Sequence, residues 1–99
     1  MSTAPTVLPP DIAQFFNEQN QCTAWPAKPK KQMQLLQFLA EQFTWKTNYT
    51  EMEVNELLNR FHTFKDSALL RRELYMKHFL DRKPDGSAYW RTDSKEIRR

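Results

Sequence analysis

Gly86 is the only glycine among the 99 residues, and it falls in LDRKPDGSAYWR, Leu80 to Arg91. Pro84 presets the first central position of a type I turn, Asp85 follows, and Gly86 is free to take the left-handed conformation that starts a return strand. A tight β-hairpin is therefore expected near the end of the chain, with its tip at Gly86.

Helical spacing dominates what precedes it. MSTAPTVLPP, with three prolines, predicts an extended tail. Asp11 is the expected cap of a short helix whose inner face is Ile12, Phe15, Phe16 and Gln19, followed by a loop held by Pro26 and Pro29 and packed by Trp25. Leu35, Leu36, Leu39, Ala40 and Phe43 recur at three- and four-residue spacing, which predicts a first core helix over Lys30 to Phe43. Thr50 and Glu53 form a capping box, bracketed by Tyr49 and Val54 as a hydrophobic staple, so a second helix starts at the Tyr49/Thr50 step. Its inward stripe is Val54, Leu57, Leu58 and Phe61. Trp45 to Tyr49 is β-prone and is expected to pair with the hairpin as a short strand. Asp66 or Ser67 caps a third helix, DSALLRRELYMKHF, with Leu70 and Leu74 inward. Only one of Arg71 and Arg72 can then point fully outwards.

Composition removes several classes of function. Seven Phe, three Tyr and three Trp suffice to close one modest core. No apolar run is long enough to span a bilayer, and the first ten residues lack the pattern of a secretory signal, so no membrane partner and a cytoplasmic location are expected. Cys22 is the single cysteine, with only His62 and His78 as other soft ligands, so neither an intrachain disulfide nor a metal site is expected. Cys22 reads as a buried or loop thiol and His62 as a helix-end residue. No nucleophile with its base, acid/base carboxylate pair or phosphate-cradling loop is present, which argues against an enzyme and against a cofactor.

Charge is uneven along the chain. Leu69 to Arg99 holds nine Lys/Arg against five Asp/Glu, whereas Glu41 to Asp66 holds three against five. The basic excess coincides with the third helix and the hairpin. Helix, short strand, helix, tight turn, helix and hairpin is the order of a winged helix-turn-helix, in which the third helix enters the DNA major groove and the wing touches flanking backbone. The expected fold is α+β, mainly α: three core helices, a short strand and a C-terminal hairpin wing, with an extra short N-terminal helix. The expected division is a tail at 1–10, an N-terminal helix and linker at 11–28, the winged-helix-like domain at 29–92 and a basic tail at 93–99. Candidate contacts to duplex DNA are Arg71, Arg72, Tyr75, Lys77, Arg82, Lys83 and Arg91, with Thr50, Glu53, Gly86 and Trp90 as structural residues.

NYTEMEVNELLNRFH, ALLRREL and FLDRKPDGSAYW, in that order and spacing, resemble the bacterial family known as domain of unknown function 2087, over about Trp25 to Arg91. The resemblance implies a small winged-helix-like domain associated with transcription regulation, and carries over no agreed catalytic or binding residues. His78 stands where family members commonly place glycine between the third helix and the wing. The helix-turn-helix regulator domain that often precedes the module does not occur in these 99 residues.

Each candidate has a structural counterpart. Arg71 and Arg72 are equally able to pair with Glu53, Glu56 and Glu73, and Glu51 and Glu53 stand where many such domains offer amide groups to phosphate. Tyr89 and Trp90 alternate along a strand, so that one faces the core and the other a partner, unless both are core. The competing function is a protein-interaction or dimerisation module, engaging a partner protein or a second copy through the hairpin edge or a Trp25/Trp45 surface. A small-ligand sensor with an aromatic pocket is a third option.

Overall fold

The computed structural model describes residues 10–92. The expected tail, except Pro10, and the expected basic tail at 93–99 lie outside the described residues.

Four helices and one hairpin make up the fold. They are α1 (Pro10–Ala13), α2 (Pro29–Ala40), α3 (Glu51–Asn59), α4 (Ser67–Met76), β1 (Leu80–Arg82) and β2 (Tyr89–Arg91). Helix α2 opens on Pro29, whose fixed φ suits the first helical position and whose missing N–H is not needed there. It ends three residues before the expected Phe43. The amides of Gln42 and Phe43 reach back only three residues, to Leu39 and Ala40, and this tighter turn still delivers Phe43 to the core at 1% exposure.

The α3 start is as expected. Thr50 Oγ1 accepts the Glu53 amide at 3.1 Å, and Glu53 Oε1 accepts the Thr50 amide at 2.9 Å. Val54 and Leu58 are fully buried, while Leu57 and Phe61 pack against the core from its margin. Of the two residues expected to cap α4, Asp66 does so, accepting the Leu69 amide at 3.1 Å. Leu70 and Leu74 are buried against α3 and α2.

After α4 the chain reverses through a left-handed residue. His78 has φ 69°, its amide bonds to Tyr75 O at 3.1 Å, and the Phe79 amide bonds to Leu74 O at 2.8 Å, completing a Schellman cap. Asn20, Lys46 and Lys65 also hold positive φ, at 61°, 60° and 57°. The hairpin pairs Leu80 with Arg91, Asp81 with Trp90 and Arg82 with Tyr89. Its turn is the expected one: the Gly86 amide bonds to Lys83 O at 2.8 Å and Gly86 has φ 78°. The Ser87 amide donates to Asp85 Oδ1 at 2.9 Å, and hydrogen bonds from Ser87 hold the Asp85 carboxyl below the usual carboxylate range.

The expected strand at Trp45 to Tyr49 reduces to a single bridge. Tyr49 and Tyr89 exchange both backbone hydrogen bonds, at 2.8 and 2.7 Å, so Tyr49 extends the sheet beyond β2. On the opposite edge, Arg82 belongs to a non-hydrogen-bonded pair, which turns its amide outwards. That amide donates to Asp81 Oδ1 at 2.8 Å, so the hairpin's free edge is partly blunted by its own side chain.

The N-terminal segment departs from expectation. Asp11 lies within α1 and does not cap it; its carboxylate accepts Gln34 Nε2 of α2 at 3.0 Å. That bond, then Lys31 and Lys30, hold its carboxyl below the usual range. Helix α1 stops at Ala13, Gln19 is exposed, and Ile12, Phe15 and Phe16 do the packing, with Phe16 edge-on to Phe38 at 5.1 Å. The chain then clips onto the α3–α4 link. The Cys22 amide bonds to Phe61 O at 2.7 Å, and the Thr63 amide bonds to Cys22 O at 2.9 Å. Cys22 is buried, and burial pushes its thiol pKa up.

Candidate nucleic-acid interface

Helical spacing puts Ala68, Arg72 and Tyr75 on the outer stripe of α4, and all three are exposed. The hairpin brings Arg82 over that stripe, with its guanidinium carbon 4.9 Å from the Tyr75 ring centroid. A shallow groove of about 340 Å³ results, lined among others by Arg71, Arg72, Tyr75, Arg82 and the carboxylate-bearing Glu51 at the start of α3.

The seven candidates do not form one surface. Arg72 is exposed and Lys83, beside the hairpin turn, is exposed as well. Arg71 is partly buried and committed: Nη1 donates to Asn55 Oδ1, and Nη2 lies 3.6 Å from Glu51 Oε2. Its partners differ from the expected Glu53, Glu56 and Glu73: Glu53 is turned back into the capping box, and Glu51, two residues earlier in the same first turn, reaches Arg71 of α4. Lys77 pairs with Glu73 at 3.3 Å along its own helix. Arg91 is elsewhere: its guanidinium lies 4.1 Å from the Trp45 ring centroid, and Nη1 donates to Phe43 O at 3.1 Å. Of the seven, Arg72, Tyr75 and Arg82 share the groove uncommitted to a carboxylate, while Lys83 is exposed beside the hairpin turn, outside the groove's lining.

The structural residues separate similarly. Thr50, Glu53 and Gly86 hold the cap and the turn. Tyr89 is buried at 5%, whereas Trp90 is half-buried on the other face of β2. Trp45, 48% exposed, joins Trp90, Lys46, Asn48 and Arg91 around an open cleft of about 400 Å³ that the sequence reading did not assemble. Its signal was the pair of aromatic-basic steps Trp45-Lys46 and Trp90-Arg91.

His62 is buried and structural. The tautomer protonated on Nδ1 satisfies both of its contacts, donating to Leu58 O at 2.8 Å and accepting the Asp66 amide on Nε2 at 3.0 Å. Among the described residues no group of three His, Cys, Asp or Glu is placed to hold a metal ion. No helix among them is long and apolar enough to cross a membrane.

Comparison with curated proteins and with solved structures finds no match. The pattern of one bacterial family matches residues 21–91, which takes in the Cys22 clip, α2, α3, α4 and the hairpin and leaves out α1. The motifs Tyr49-Thr50-Glu51, Leu70 to Leu74 and Asp85 to Trp90 all lie within it, and the chain belongs to the family described as uncharacterized protein conserved in bacteria (DUF2087).

Proposed function

We propose that the chain is a winged helix-turn-helix module that binds duplex DNA through α4 and the hairpin, as a binding protein of bacterial transcription regulation and not a catalyst. The element order supports this reading. Helix α2 is followed by the Tyr49 bridge, α3, a short link, α4 and the hairpin, and the bridge ties the hairpin to the body so that it flanks α4 as a wing.

The observation that carries the proposal is the convergence of Arg72, Tyr75 and Arg82 on one groove, with Lys83 at the hairpin tip. A guanidinium lying over a tyrosine ring keeps outward N–H donors for phosphate while its stem is held in place. Arg71 does not contribute, because Glu51 and Asn55 already occupy it. Such contacts position a module on the backbone and read little sequence by themselves.

Fluorescence anisotropy with labelled genomic duplexes tests the reading. Affinity is expected to fall with added salt on a log-log slope of about −3 to −5, and replacing Arg72, Arg82 and Lys83 with Ala to flatten it by up to about three units. Absence of binding at micromolar protein in low salt would sink the proposal.

A further inference from the structure

The Trp45–Trp90 cleft is chemically unlike the groove beside α4. Two indoles and two cations line it, Asn48 adds an exposed amide, and among the described residues no carboxylate does. Trp45 leaves 48% of its surface exposed, and with the half-buried Trp90 lining the same cleft it presents aromatic contact area to solvent. Arg91 is stacked on Trp45 and bonded to Phe43 O, which fixes both the indole and the guanidinium in place before any ligand arrives. Arg91 retains further N–H donors, and Lys46 is exposed next to it.

A ligand complementary to this set carries a flat π surface and a negative charge a few bonds apart, with polar edge atoms for an amide. An unpaired nucleotide has all three. Stacking on an aromatic side chain accepts any base, and neighbouring cations hold the backbone phosphates, which is how single strands are commonly bound. We infer that the cleft between Trp45 and Trp90 binds an unpaired base of a single-stranded nucleic acid, with its phosphates on Lys46 and Arg91. This surface is separate from Arg72, Tyr75, Arg82 and Lys83, so it stands whether or not the duplex reading does.

Anisotropy with a labelled octathymidylate in low salt, using the full chain, tests the inference. Binding is expected, and Trp45→Ala should weaken it by roughly fivefold to a hundredfold, while Trp45→Phe, which restores a ring, recovers part of the loss. Trp45 is on the surface, and circular dichroism of both variants checks that the fold is retained. An abasic oligomer with the same phosphates should bind as weakly as Trp45→Ala does octathymidylate. Equal binding of abasic and thymidine oligomers, equal binding of an octaglutamate peptide, or an unchanged affinity in Trp45→Ala would each overturn it. Loss of duplex binding alone would leave it intact and count only against the α4 surface.

Discussion

His62 Nε2 accepts the amide of Asp66, the same residue whose carboxylate caps α4, so the end of α3 and the start of α4 are joined through one imidazole. Its other nitrogen donates to Leu58 O, one turn back in α3. The link therefore acts alongside the direct packing of Val54 and Leu58 against Leu70 and Leu74 in one core.

Replacing His62 with Phe keeps a ring against Phe64, which lies 4.6 Å away between centroids, and removes both hydrogen bonds. Leu58 O still accepts the Phe61 amide, so the Asp66 amide is the group left without its partner. The expected loss is about 1–3 kcal/mol in denaturant unfolding, with faster hydrogen exchange at Asp66. An unchanged midpoint would mean that the ring serves only to fill space.

Gly86→Val tests the hairpin turn. A Cβ at Gly86 would meet Arg82 Nη1 at 3.5 Å, an ordinary contact, so the penalty comes from the backbone at φ 78° and not from crowding. Forcing a side chain into that conformation costs about 1–2 kcal/mol, or roughly 4–16 °C in Tm for a domain of this size. Gly86→Asn should lose less, because asparagine tolerates the left-handed region. Equal losses for both variants would point to a different cause.

Cys22 gives the chain a pH dependence. Burial raises its pKa in the folded state, so above the ordinary thiol value of about 8.5 the unfolded chain releases a proton that the folded chain keeps. Its contribution is fully present below that value and is lost as pH rises through the folded pKa. Between about pH 8 and pH 10 the wild type should therefore lose stability more steeply than Cys22→Ala, as read from urea midpoints at each pH. Parallel curves would refute this assignment.

Signals confined to a few residues were readable from sequence. The Thr50/Glu53 box, the Asp66 cap and the Pro84–Gly86 turn each depend on residues within three positions, and the structure forms all of them. Long-range pairings were not. Arg71 selects Glu51 over Glu53 according to how α3 and α4 cross, and the capping box had already removed Glu53 from competition. Arg91 bonds to Phe43 O, 48 positions away, and a three-residue strand has too little alternation to say which side chain faces where. The clip between Cys22 and the Phe61–Thr63 link is purely backbone, and side-chain patterns do not encode it. Asp11 misled because a capping residue type also suits a first turn, where its carboxylate found Gln34.

The left-handed cap at His78 also bears on the denatured chain. Together with Lys46 and Lys65 it places a side chain where glycine would be easier, and each such site carries about 1–2 kcal/mol of backbone strain, while Asn20, of a residue type that tolerates the left-handed region, carries less. Glycine at the same sites would relieve that strain and also widen the unfolded ensemble, which opposes folding by roughly 0.4–1 kcal/mol per position. The second effect offsets only part of the first. A chain with one glycine therefore begins folding with fewer conformations to give up, and that smaller entropic cost compensates part of the strain held at its left-handed residues.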